Sequence, residues 1–174
     1  MTNITFHGGV NDIGGNKFLV ESKDTKVFMD FGMSFSQEGQ FFSQFLGART
    51  SNSLNDMFEL GILPKIKGLY RRDYARHMDF DGNEDTEIDA VLLTHAHVDH
   101  CAYLPYLRED IPIYCSEESK LILQNFDETS SSQYLTSKQR FQIYENNKGT
   151  MSKATGDKVA IPRRVEIFES GKEF

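Results

Sequence analysis

Residues 88–101 read IDAVLLTHAHVDHC, a short apolar run that ends in three histidines and an aspartate. Ile88 to Leu93 has the continuous apolar character of a strand buried inside a sheet. The polar cluster therefore falls on a loop at the strand's C-terminal edge, where α/β proteins tend to place ligands. His95, His97, Asp99 and His100 supply three imidazoles and a carboxylate, a donor set suited to zinc or another borderline divalent metal. Alternate residues of an extended segment point the same way, so His95 and His97 can share one ion while the following turn aims Asp99 and His100 at a second. Two such ions about 3.5 to 4 Å apart bring a bridging water to a pKa of about 7 and clamp substrate oxygens. Asp99 is placed to orient that hydroxide or take its proton. A solvated polar loop is the alternative, but HxHxDH closing an apolar strand is far more specific than a lone HxH.

Upstream, Ile4 to Phe6, Phe18 to Val20 and Val27 to Phe31 read as three short strands, so residues 1–33 form a β-meander. Asp30 ends the run KVFMD. A carboxylate there can hydrogen-bond the histidine loop and fix an imidazole's orientation; a strand-end turn aspartate is the plainer reading. The glycines of GGVNDIGGN (residues 8–16) read as a turn between two strands, since the GxGxxG pattern is absent. Residues 34–85 read as a helical and loop insertion, with Leu54, Met57, Phe58, Leu60 and Leu63 at roughly helical spacing. Within it, Lys65, Lys67, Arg71, Arg72 and Arg76 are interleaved with Tyr70 and Tyr74. Cations beside stackable rings suit single-stranded RNA or DNA; a solvated helix face is the alternative. His7 and His77 read as structural or surface histidines.

Downstream, within 86–174, IPIYC (residues 111–115) reads as another strand. Ser116, followed by Glu117 and Glu118, reads as the cap and acidic first turn of a helix carrying Leu121, Ile122, Leu123 and Phe126. A second helix is expected over about Tyr134 to Tyr144, a loop over Asn146 to Asp157, and a strand over Arg164 to Phe168. The order is that of an α/β protein.

A chain of 174 residues with 39% hydrophobic content suits one ordinary domain with a real core. Its first residues lack the basic start and apolar stretch of a signal peptide, and no apolar run is long enough for a membrane span; a cytoplasmic protein is expected. Cys101 and Cys115 are too far apart for a CxxC motif and are expected to be reduced, with Cys101 a small residue on a helix face. The net charge of −7 opposes binding a nucleic-acid backbone through bulk electrostatics, so a polyanion must be held locally, by metal ions and a basic patch.

Three segments, GGVNDIGGNKFLVE, KVFMDFG and THAHVDHCAYLPYL, give the chain a resemblance to the metallo-β-lactamase superfamily and, within it, to ribonuclease J-like, beta-CASP-type nucleases. The resemblance implies an αββα sandwich, a dinuclear zinc centre with manganese as a substitute, and hydrolysis of RNA or DNA phosphodiesters. It implies that His95 and His97 serve one metal, Asp99 and His100 the other, and that Asp30 supports them. Cys101 and Ala102 stand where such proteins often have a small residue and glycine. The family's later ligands, a histidine, a bridging aspartate and a final histidine, follow a strand resembling VEIFESGKEF, and no histidine follows His100 here. Nor does a beta-CASP domain. The chain is therefore expected to be the N-terminal half of the sandwich. An apolar sheet face should then need a cover, from the missing half or from another chain in a homo-oligomer. The chain alone is expected to bind metal weakly and turn over little. A small-substrate hydrolase for thioesters, esters or lactams, and a non-catalytic binding or assembly module, are the competing readings.

Overall fold

The alternating N-terminal segments satisfy their backbone groups by pairing with one another. In a computed structural model, which describes residues 1–42, 47–49, 52, 54–75, 85–130, 133–138, 142–145, 151–154 and 160–173, strands β1 (Thr2–Phe6), β2 (Phe18–Ser22) and β3 (Thr25–Met29) form the expected antiparallel meander. The next partners are parallel: β3 pairs with β4 (Ala90–Leu92), β4 with β5 (Ile113–Cys115), and β5 with β10 (Val165–Ile167). The result is a mixed six-stranded sheet in the order β1-β2-β3-β4-β5-β10, an α/β arrangement.

Parallel neighbours require crossover connections, and this gives the stretch 34–85 its place. It carries the chain from the end of β3 back to the start of β4 through α1 (Phe35–Phe41), α2 (Asn55–Glu59) and α3 (Arg72–Ala75). Ser34 caps α1 by accepting from Gln37 N at 3.2 Å. Leu54, Met57, Phe58 and Leu63 are buried as their spacing suggested, although α2 is short and Leu63 lies beyond it. The next crossover, β4 to β5, contains α4 (Val98–Cys101) and a 3-10 turn, Leu104–Tyr106. After β5 comes α5 (Glu117–Thr129), capped as expected by Ser116, whose Oγ accepts from Ser119 N at 3.2 Å.

Register assigns the two faces of the sheet. One face carries Leu19, Phe28, Val91, Ile113 and Cys115, all buried beneath the crossover helices and loops. The opposite face carries Ile4, Phe6, Val20, Val27, Met29 and Leu92. It is just as apolar, yet Ile4 is 56% and Phe6 58% exposed. The expected uncovered sheet face is thus present, and it is the side away from the helices.

Two expectations fail in the C-terminal third. The segment about Tyr134 to Tyr144 contains no helix among its described residues: Thr136–Lys138 is β6 and Gln142–Glu145 is β7. The loop expected over Asn146 to Asp157 contains β8 (Met151–Ala154), which pairs antiparallel with β7, while β6 pairs with β9 (Ala160–Pro162). The reason lies in composition: Thr136, Ser137, Ile143 and Tyr144 are β-formers or compete with helical backbone bonds. The apolar spacing over this stretch is too short to outweigh them.

Among the described residues no helix is long and apolar enough to cross a membrane. The two faces predict opposite mutational outcomes. Phe28→Ala should cost about 3–5 kcal/mol in urea unfolding, whereas Phe6→Thr, on the open face, should cost less than about 1 kcal/mol. Equal costs would show that the open face is covered in solution.

Candidate metal centre

The parallel strands bring their C-terminal ends to one edge of the sheet, and the polar cluster gathers there. Just past β3, Asp30 adopts φ 58°, a left-handed conformation uncommon outside glycine, and is 3% exposed. Its carboxylate accepts from Thr94 N at 2.8 Å, from Thr94 Oγ1 at 2.9 and 3.0 Å, and from His100 Nδ1 at 2.7 Å. A carboxylate in this role only accepts, so the proton of the neutral His100 ring is on Nδ1. The lone pair of Nε2 is left facing away from Asp30, 3.4 Å from Asp99 Oδ2.

The histidine segment is extended through His97, which caps α4 with φ −88° and ψ 149°. Asp99 and His100 thus stand on the first turn of a short helix rather than on a loop, which turns them relative to His95 and His97. The His95 ring centroid lies 4.7 Å from that of His97 and 3.9 Å from that of His100. Three imidazoles and a carboxylate therefore crowd together, which suits a borderline divalent cation in donor type. Among the described residues, however, no three side chains of His, Cys, Asp and Glu are disposed to enclose an ion. His95, His97, Asp99 and His100 fit a metal as a partial set.

The segment after Asp30 threads against this cluster through its backbone. Phe31 N donates to His100 O at 2.8 Å, Met33 N to Val98 O at 3.2 Å, and Gly32 N to Asn16 O at 3.0 Å. At Gly32 a side chain is impossible, because a Cβ would lie 1.7 Å from Asp99 O. Gly14 meets the same helix turn, where a Cβ would lie 2.5 Å from Asp99 Cβ. The glycine-rich stretch 8–16 is therefore more than a strand-to-strand turn; it is backbone packed onto the histidine cluster.

Asn16 at the end of that stretch and Lys17 just after it were not singled out by the sequence. Asn16 places Nδ2 3.1 Å from His100 Nε2. Lys17 is 1% exposed, donates to Gly15 O at 3.0 Å and Gly32 O at 2.9 Å, and lies 5.3 Å over the Tyr103 ring. It ties the glycine loop to the segment after Asp30. Burial lowers its ammonium pKa from 10.5 to about 8.

The basic and aromatic group divides sharply. Tyr70, Arg71 and Tyr74 are buried, which removes them as nucleic-acid contacts. Arg71 pairs with Asp73 through Nε at 2.9 Å and Nη2 at 2.8 Å, and Tyr70 donates its hydroxyl to Pro64 O at 2.6 Å. They brace the 3-10 turn after the cluster: Arg71 N donates to Tyr106 O, and Arg71 Nη1 to Pro105 O. From the other side Arg163 donates to the carbonyls of Leu107 and Arg108, each at 3.0 Å. Lys65, Lys67 and Arg72 are exposed, Lys65 pairing with Glu59 at 2.7 Å; Arg76 and His77 lie outside the described residues. Cys101 is fully buried, and burial pushes its thiol up to about 12, as suits an inert core residue. His7 is half-buried, its pKa lowered first by burial and then by Lys17.

Residues 69–159 match the family model of the β-lactamase superfamily domain. Over 134 residues the chain is 30% identical to ribonuclease J of Helicobacter pylori, covering 75% of this chain and 15% of that protein. It is 27% identical over 120 residues to transcription termination factor FttA of Methanocaldococcus jannaschii, covering 67% of this chain and 14% of that protein. A crystal structure of a protein of unknown function from Enterococcus faecalis aligns with TM-score 0.55 and 30% identity, over 74% of this chain and 28% of that one. The chain thus spans about a seventh of the length of the curated relatives it matches.

Lys17 gives the site a pH signature. Between about 8 and 10.5 the unfolded chain keeps a proton that the folded chain has released, so the lysine's contribution to stability rises with pH across that window. Urea unfolding of the wild-type chain and of Lys17→Met should differ in slope. From neutral pH to the top of the window, the wild type should gain on the variant by about 2–3 kcal/mol. A difference that stays flat with pH would show that the buried amine keeps its proton.

Proposed function

The chain belongs to the metallo-β-lactamase superfamily, on its ribonuclease J-like side, and from that premise we propose that it supplies the first ligand segment of a metal-dependent nuclease acting on single-stranded RNA. The observation that carries the reading is the Asp30–His100 hydrogen bond at 2.7 Å. It fixes the imidazole so that Nε2 is the free donor nitrogen, beside Asp99 and the other two histidines. The family likeness to ribonuclease J supports RNA as the substrate class.

On this reading His95 and His97 hold one Zn2+ and Asp99 and His100 the other, with Mn2+ as a substitute. When bound, such a pair supplies hydroxide near neutral pH and positive charge for phosphate oxygens. Asp99, half-buried in the first turn of α4, orients the attacking water and takes its proton at a carboxylate oxygen. Thr94 and Asp30 hold His100 still, through the bonds given above. Asp30 is a positioning residue, since its carboxylate is fully engaged by Thr94 and His100.

Two protein ligands per ion fall short of the three typical of catalytic zinc, so the reading assigns the remaining ligands to other parts of the complete protein. By itself the chain binds metal weakly. Its net charge of −7 leaves the grip on a polyanion to the metals and to individual exposed cations such as Lys65, Lys67 and Arg72. Reduced Cys101 and Cys115, both buried, accord with a cytoplasmic setting.

Incubating the full-length protein with Zn2+ or Mn2+ and labelled single-stranded RNA tests the reading. His95→Ala combined with His97→Ala should lower cleavage at least about 100-fold, and Asp30→Asn by about 10- to 100-fold. Full turnover by the double variant would refute the metal assignment, and hydrolysis of a thioester or lactam without RNA cleavage would move the substrate class.

A further inference from the structure

Three exposed apolar side chains gather where the loops meet the metal cluster. Val98 lies between His97 and Asp99 in sequence, Ile13 is 78% exposed and Phe35 is 47% exposed. Single exposed apolar residues are ordinary, but the backbone brings these three together. Gly15 N donates to Met33 O at 2.8 Å, and Met33 N donates to Val98 O at 3.2 Å. The glycine loop, the segment after β3 and the start of α4 therefore lie side by side, with Ile13, Phe35 and Val98 each within two residues of that ladder. Ile13 also precedes Gly14, where a Cβ would lie 2.5 Å from Asp99 Cβ, so the loop is seated directly on the first turn of α4.

Phe35 is held out by its neighbours. The Asp12 carboxylate accepts from Ser34 Oγ, from Ser36 Oγ at 2.8 Å and from Ile13 N at 2.8 Å. One anion thus clamps the residues on both sides of Phe35 together with the backbone of Ile13. Ser34 also caps α1 and bridges to Gly14. One turn further along α1, on the same side as Phe35, Glu38 accepts from the Tyr103 hydroxyl. That contact turns this side of the helix toward the segment following α4, so the Phe35 ring stands at the mouth of the cluster.

We propose that Phe35, flanked by Ile13 and Val98, is a stacking platform for one nucleobase of a single-stranded RNA whose phosphate is held at the cluster. The inference rests on the nuclease reading. A flat apolar ring offers an uncharged face on which any base can stack. The Asp12 carboxylate, bonded to the neighbours of Phe35, repels phosphate at short range, and the net charge of −7 adds to that repulsion. The part of a nucleotide that this apolar lip accepts is therefore its neutral base. Stacking there supplies affinity that an acidic chain cannot draw from the sugar-phosphate backbone. Phe35 binds and orients the strand and takes no part in proton transfer.

The test uses the full-length protein with Zn2+ or Mn2+, labelled oligoadenylate as substrate and a base-free ribose phosphate oligomer of equal length as competitor. Wild-type protein should prefer the base-bearing strand. Phe35→Ala should raise KM for oligoadenylate by about 5- to 150-fold and shrink the preference over the base-free oligomer by the same factor. The loss should fall on KM rather than kcat. Phe35→Trp should restore both quantities, and Phe35→Leu, apolar but not flat, should not. Thermal unfolding checks that each variant stays folded. A preference for the base-bearing strand that survives Phe35→Ala would overturn the platform. So would a loss that Phe35→Trp leaves unrestored, since that marks a structural role, or a recovery in Phe35→Leu equal to that in Phe35→Trp, since any apolar contact would then serve. Wild-type protein that cleaves no RNA with either metal would overturn the nuclease reading itself, and the platform with it. RNA cleavage whose KM is indifferent to Phe35 would overturn the platform alone.

Discussion

Asp30 is buried with φ 58°, and its carboxylate takes hydrogen bonds from Thr94 N, Thr94 Oγ1 and His100 Nδ1. A left-handed aspartate costs roughly 1–2 kcal/mol, and an unpaired buried carboxylate would cost far more. Hydrogen bonds to a charged group contribute about 1.5–3 kcal/mol each, so the three donors offset the backbone strain and the loss of water. They also join three elements at one point: the end of β3, the segment after β4, and α4. Everything proposed for His100 follows from which of its nitrogens this carboxylate claims.

Around that point the loops are stiffened by buried cations rather than by regular structure. Lys17 binds the carbonyls of Gly15 and Gly32, Arg71 that of Pro105, and Arg163 those of Leu107 and Arg108. Each places positive charge against carbonyl oxygens that short loops cannot pair with backbone N–H groups. Arg71 also has a bidentate carboxylate partner in Asp73. Asp30 and Asp73 are buried as well, so the buried charges nearly balance.

The meander, β4 and β5, the Ser116 cap and the open apolar sheet face were legible in the sequence because each depends on spacing within a few residues. HxHxDH was legible for the same reason. Asn16 and Lys17 were not, since their roles arise from contacts made across the fold, with no local period to mark them. Tyr70, Arg71 and Tyr74 were misplaced because cations and rings have the same letters on a surface as inside a bracket; burial alone separates the cases. The segment from Tyr134 to Tyr144 was misread because its strands find partners in β8 and β9, residues that a helical window never samples.

The central claim is that Asp30 sets the tautomer of His100 and so aims its donor nitrogen at the cluster. Heteronuclear NMR correlating ring nitrogens with ring protons, on the metal-free chain, reads this directly. The account predicts a His100 ring protonated at Nδ1 and bare at Nε2. A proton found on Nε2 would mean that Asp30 does not hold the ring as described, and the site built upon it would not stand.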